Sequence, residues 1–131
     1  MKIFSLLLLL PVVLAACTNP ITEIRPIRLT SKDIAGIQMA VKYDLIEPES
    51  AKFRNFRAAE VVRQDGKVIK TVCGEVNSKN RLGGFSGNMP FSAELTPTGT
   101  VLRGVESPTD KVGFINSFYC NPVFGENWRK R

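Results

Sequence analysis

The sequence predicts an α+β fold: an N-terminal helix packed on a three- or four-stranded antiparallel meander, with a short C-terminal helix and one disulfide. Three observations carry that expectation. Ile34, Ile37, Val41 and Leu45 recur at helical spacing between Ser31 and Glu47. Asp65-Gly66 separates two stretches rich in Val, Ile and Thr, the short-range signature of a hairpin. Of the three cysteines, Cys73 and Cys120 form an even pair deep in the chain.

Each element follows in order. Thr30 or Ser31 can cap the first helical turn, and Asp33 suits its positive end. Pro48 stops the helix, Glu47 to Phe53 reads as a proline-initiated short turn of helix, and Phe53 and Phe56 fold back to the core. Phe56 to Gln64 and Lys67 to Asn77 read as paired strands, and Phe91 to Leu95 as a third. Pro97-Thr98-Gly99 turns the chain into a fourth, Thr100 to Val105. Gly113 to Tyr119 suits a helix or a strand; a helix from near Asp110, ending before Asn121-Pro122, is favoured.

The first residues are of another kind. Met1-Lys2 gives a short positive start, Ile3 to Leu14 is almost wholly apolar, and Ala15-Ala16 precede Cys17. A charged start, a short apolar run and small residues before a cut describe a secretory signal. The run is shorter than the ~20 residues a spanning helix needs. Leu14-Ala15-Ala16-Cys17 resembles the lipobox of bacterial lipoproteins, in which Cys17 takes a diacylglycerol thioether and its new amino end is acylated. That resemblance implies a signal peptide at 1–16, a lipidated tether at 17–30 and a small α+β domain at 31–131. It also implies a cell-envelope location, held on a lipid bilayer through Cys17. Thr18, not Asp, follows the cysteine, which is similar to the pattern for the outer membrane facing the periplasm in Gram-negative cells. The alternatives are an ordinary signal peptide with a chance cysteine, or an uncleaved anchor.

Charge and cysteine usage fit export. The chain has 18 Lys and Arg against 12 Asp and Glu, a formal net charge of +6, and loss of Lys2 with the leader lowers it by one. Such a balance suits solubility, anionic lipid headgroups, wall polymers or an acidic partner. Nucleic acid is not expected beyond the inner membrane. In an oxidising compartment Cys73 and Cys120 pair or persist as buried thiols. A bridge over that separation stabilises by about 4 kcal/mol in the chain-entropy account.

Two segments resemble a family of small exported bacterial proteins with no characterised activity. They are Pro48-Glu49-Ser50-Ala51-Lys52-Phe53-Arg54, and Val72 to Asn80 continuing into Gly83-Gly84-Phe85-Ser86-Gly87. The resemblance spans residues 35 to 95. It implies an N-terminal helix and a framework role for Cys73, and carries no activity.

The chain contains no histidine, which removes Ser-His-Asp and Cys-His nucleophilic sites and His-ligated zinc. It has neither a phosphate-binding glycine loop nor a dinucleotide fingerprint, and no cofactor is expected. Glu75 is a candidate buried acid: by alternation it shares a face with Cys73 and Asn77, within reach of Lys79, Arg81 or loop N–H groups. The candidate binding loop runs from Asn77 to Asn88 through Lys79, Asn80, Arg81, Gly83, Gly84, Phe85, Ser86 and Gly87. Its glycines allow positive φ, its cations supply donors, and Leu82 and Phe85 are apolar anchors. The same composition also describes a wide turn folded on its own sheet. The chain is therefore expected to be a non-catalytic binding or structural lipoprotein with an envelope protein partner. The competing expectations are an inhibitor of a secreted enzyme and a small enzyme using Glu75.

Overall fold

The structure is a computed structural model that describes residues 18–107 and 109–130. The expected signal peptide, residues 1–16, and the expected lipidation position Cys17 lie outside the described residues. A five-stranded antiparallel sheet in simple sequence order organises the chain. Its strands are β1 Ile21–Pro26, β2 Lys52–Arg63, β3 Val68–Asn77, β4 Met89–Thr96 and β5 Gly99–Val105. Helix α1, Ser31–Lys42, connects β1 to the rest, and a 3₁₀ turn at Pro48–Ser50 leads into β2.

The fifth strand corrects the expected tether. Ile21–Pro26 pairs along β2 from Arg63 to Ala59, although residues 17–30 read as linker. Pro20 precedes the strand and Pro26 ends it, both tolerable positions at a sheet edge. Most β1 side chains are exposed, so no apolar alternation marks the strand in the sequence. Short and charged, with a register shift between Ile21 and Glu23, it is a protected edge.

Helix α1 starts as expected. Thr30 Oγ1 accepts from the Asp33 N–H at 3.1 Å, and the Asp33 carboxylate accepts from the Thr30 N–H at 2.8 Å, a reciprocal capping box. The Thr30 hydroxyl, which donates to Asp33 Oδ2 at 2.7 Å, and then the Thr30 N–H hold the Asp33 carboxyl below its usual value. The helix ends at Lys42, earlier than Glu47. Tyr43 is 95% exposed, so no packing sustains another turn, and the next two N–H groups close tight three-residue turns onto Val41 and Lys42.

Both faces of the sheet are covered. On one, Ile37 and Val41 of α1 pack on Ala58, Val72, Val76, Met89 and Phe91, with Phe53 and Phe56 alongside. Phe91 lies across Gly74, its register partner, and a Cβ on Gly74 would sit 2.5 Å from the ring. On the other face the C-terminal segment closes over Cys73 with Ile115, Cys120 and Trp128. The Cys73–Cys120 disulfide joins them, Cα to Cα 5.9 Å, and fixes that segment to the middle of β3.

The C-terminal helix is formed, but not as expected. A widened turn, Asn116–Cys120, runs directly into α2, Asn121–Phe124, through Pro122 rather than stopping before it. Proline has no N–H and clashes with the carbonyl four residues back. The backbone resolves this by widening: the Asn121 N–H donates to Asn116 O, five residues back. Gly125 then ends the helix, and a 3₁₀ turn at Trp128–Lys130 follows. The Trp128 indole donates to Asn116 Oδ1 at 2.7 Å.

Candidate functional site

The meander separates two ends of the molecule. One holds the β2–β3 hairpin, the other the Asn77–Asn88 loop joining β3 to β4. Between them lie the ten residues of β3, about 30 Å of strand.

At the hairpin end the chain is locked almost from its first described residue. Asn19 Nδ2 donates to Asp65 Oδ2 at 2.9 Å, and the Asp65 N–H donates to Asn19 Oδ1 at 3.3 Å. Arg63 Nη1 donates to Asn19 O at 3.2 Å, and the Gln64 N–H to Pro20 O at 3.0 Å. Only Thr18 separates this lock from Cys17.

At the opposite end the loop is built largely by its own asparagines. Asn77 Oδ1 accepts from the Gly87 N–H at 3.1 Å. Asn80 Oδ1 accepts from Leu82 N at 2.9 Å and Gly84 N at 3.2 Å, while the Asn80 N–H donates to Gly84 O at 2.8 Å. The Ser86 N–H donates to Ser78 O at 3.0 Å, and the Lys79 N–H to Ser50 Oγ at 2.8 Å. Gly83 and Gly87 take positive φ, at 80° and 97°; Gly84 does not. This ordered base lifts Leu82 to 95% exposure, beside exposed Arg81. Phe85, bridged to Lys79, stays 44% exposed, with Lys52 Nζ 4.6 Å and Lys79 Nζ 5.8 Å from its ring centre. The loop thus packs its polar base and presents its tip.

Glu75 is buried as expected, at 1% exposure, but its partners differ. Neither Lys79 nor Arg81 holds it. Arg54 Nε donates to Oε2 at 3.0 Å, Asn55 Nδ2 to Oε2 at 2.6 Å, and Arg129 Nε to Oε1 at 2.8 Å. Lys79 and Arg81 lie beyond the end of β3, whereas Arg54 is the direct cross-strand neighbour of Glu75. Burial pushes the carboxyl up, but the bonds from Arg129, Arg54 and Asn55 outweigh it and hold the group below its usual range. Both carboxylate oxygens are thus engaged, Oε2 by Arg54 and Asn55 and Oε1 by Arg129.

Two members of this cluster had no sequence signal. Asn55 has φ 54° at the β2 register shift, a conformation Asn tolerates better than most residues, and its Nδ2 also reaches Arg129 O at 3.1 Å. Arg129 reads in the sequence as one charge of a basic tail. Here its Nη2 also donates to Asn88 O at 2.9 Å, tying the chain end to the base of the loop.

Among the described residues, no cluster of three or more Cys, Asp or Glu side chains is placed to hold a metal ion. None of their helices is long and apolar enough to cross a membrane. No known protein family, characterised protein or solved structure matches the chain.

Proposed function

We propose that this chain is a lipid-anchored envelope protein that displays the Asn77–Asn88 loop to a protein partner, without catalysis of its own. The observation that carries the reading is the opposition of the two ends. The segment after Cys17 is bonded to the β2–β3 hairpin, and the loop lies about 30 Å of strand away. Acyl chains on Cys17 would hold the hairpin end at the bilayer; two chains suffice for durable attachment. The loop then faces away from the lipid.

The loop itself suits recognition. Its base is pre-ordered by Asn77 and Asn80, so a partner meets a tip that needs little further ordering. Leu82, Phe85 and Arg81 combine apolar anchors with a forked donor. The bonding of Glu75 to Arg54, Asn55 and Arg129 supports a structural use of that acid over a catalytic one.

Crosslinking in intact envelopes followed by affinity isolation tests this. A definite protein partner is expected, lost in the double variant Arg81→Glu, Phe85→Ala. A partner retained by that variant removes the loop from the interface.

A further inference from the structure

The charge of the chain is unevenly placed. Around the loop stand Lys52, Arg54, Lys79, Arg81, Arg129 and Lys130. Glu75 is the carboxylate bonded into this cluster, and it is shared by Arg54 and Arg129, so it balances one charge of two. Glu49, on the neighbouring turn, leans to Lys42 at 3.9 Å. Asp44 and Glu47 lie beside Glu49, so four carboxylates stand against the six cations at this end; elsewhere Glu23 and Glu60 lie on Arg25, Lys70 reaches Glu60, and Arg103 bonds Glu94. A surplus of cations therefore surrounds an exposed leucine and a half-exposed phenylalanine.

We infer that the loop end takes an acidic segment of a partner protein, with carboxylates meeting Lys52, Lys79 and Arg81 and an apolar side chain meeting Leu82 and Phe85. The inference rests on the loop being the binding surface, and adds residues outside it. Lys52 and Lys79 both stand over the Phe85 ring, which takes the place of water on that side and leaves their other ammonium hydrogens for a carboxylate. The fixed Arg54 and Arg129 contribute long-range field rather than direct contact. Such a field raises the association rate and makes binding salt-dependent. The apolar tip favours a protein over a featureless polyanion, because Leu82 at 95% exposure gains only from a partner with its own apolar surface.

The test uses the purified exported chain, disulfide intact, with fluorescein-labelled poly-L-glutamate and a glutamate–leucine copolymer as probes, read by anisotropy at about 150 mM salt. Both polymers should bind, the copolymer more tightly. Lys52→Glu with Lys79→Glu should weaken both by roughly tenfold or more. Lys32→Glu with Lys67→Glu, an equal charge change away from the loop, should weaken them less than about twofold. Phe85→Ala should abolish the preference for the copolymer. Equal losses in the two double variants overturn the inference, since net charge alone would then act. Binding to phosphatidylglycerol vesicles or sheared wall polymer with none to either polypeptide overturns it as well. The mass of Cys17 in the same sample is independent: an unmodified cysteine removes the anchoring reading and leaves the polymer comparison intact.

Discussion

Arg129 Nε donates to Glu75 Oε1 at 2.8 Å, joining residues 54 positions apart on the face of the sheet opposite α1. This bond and the Cys73–Cys120 bridge hold the C-terminal segment at two points two residues apart on β3. The rigidity of the loop base follows, because the same guanidinium reaches Asn88 O.

Arg129→Ala should therefore destabilise the fold. It leaves a carboxylate at 1% exposure with Arg54 and Asn55 only. Discounted because Arg129 is itself partly solvated, the loss should be about 2 kcal/mol. Chemical denaturation with the disulfide intact measures it. An unchanged midpoint would mean that solvent replaces the guanidinium without penalty.

The acid limb of stability should depend on Glu75. Its folded pKa lies below the unfolded carboxylate value of about 4.3. Its contribution is then fully present above that value and is lost as pH falls through the lower, folded one. Asp33 is shifted in the same direction but is exposed at the helix start. Glu75→Gln should be less stable at neutral pH and should lose less on acidification. Parallel pH profiles for the two proteins would contradict the assignment.

Reduction, or Cys73→Ser with Cys120→Ser, should lower stability by about 4 kcal/mol in the chain-entropy account. Trp128, 2% exposed and the only tryptophan, sits on the segment released. Its emission should shift to longer wavelength at denaturant concentrations where the oxidised protein is still native. Coincident transitions would show that the bridge adds nothing to the docking of this segment.

Gly74→Ala should destabilise by about 1–3 kcal/mol, because its Cβ would lie 2.5 Å from the Phe91 ring. Phe91→Leu should recover part of that loss in the double variant although it is costly alone. A strictly additive cycle would mean the two residues do not share the space.

Much of this fold was legible from local chemistry. The helix start at Thr30 or Ser31, the hairpin at Asp65-Gly66, the main run of strands β2 to β5 and the cysteine pair all carry signals within a few residues. Strand β1 did not, because an exposed edge strand has no apolar alternation to display. The widened turn before Pro122 also escaped, since proline reads as a stop unless the preceding backbone can widen. At the candidate site, burial of Glu75 followed from alternation with Cys73. Its partners did not, because Arg129 arrives through the closure of the C-terminal segment and Asn55 through a register shift. Both are long-range consequences that no spacing rule encodes.

The proposed opposition of a Cys17 anchor and the loop is tested most directly by amide relaxation in the chain acylated at Cys17 and reconstituted in nanodiscs carrying a gadolinium-chelating lipid headgroup. Asp65, Gly66 and Lys67 should be strongly broadened, and Arg81, Leu82 and Gly83 should keep their intensity. Broadening of the loop with the hairpin spared, or equal broadening at both ends, would contradict the account.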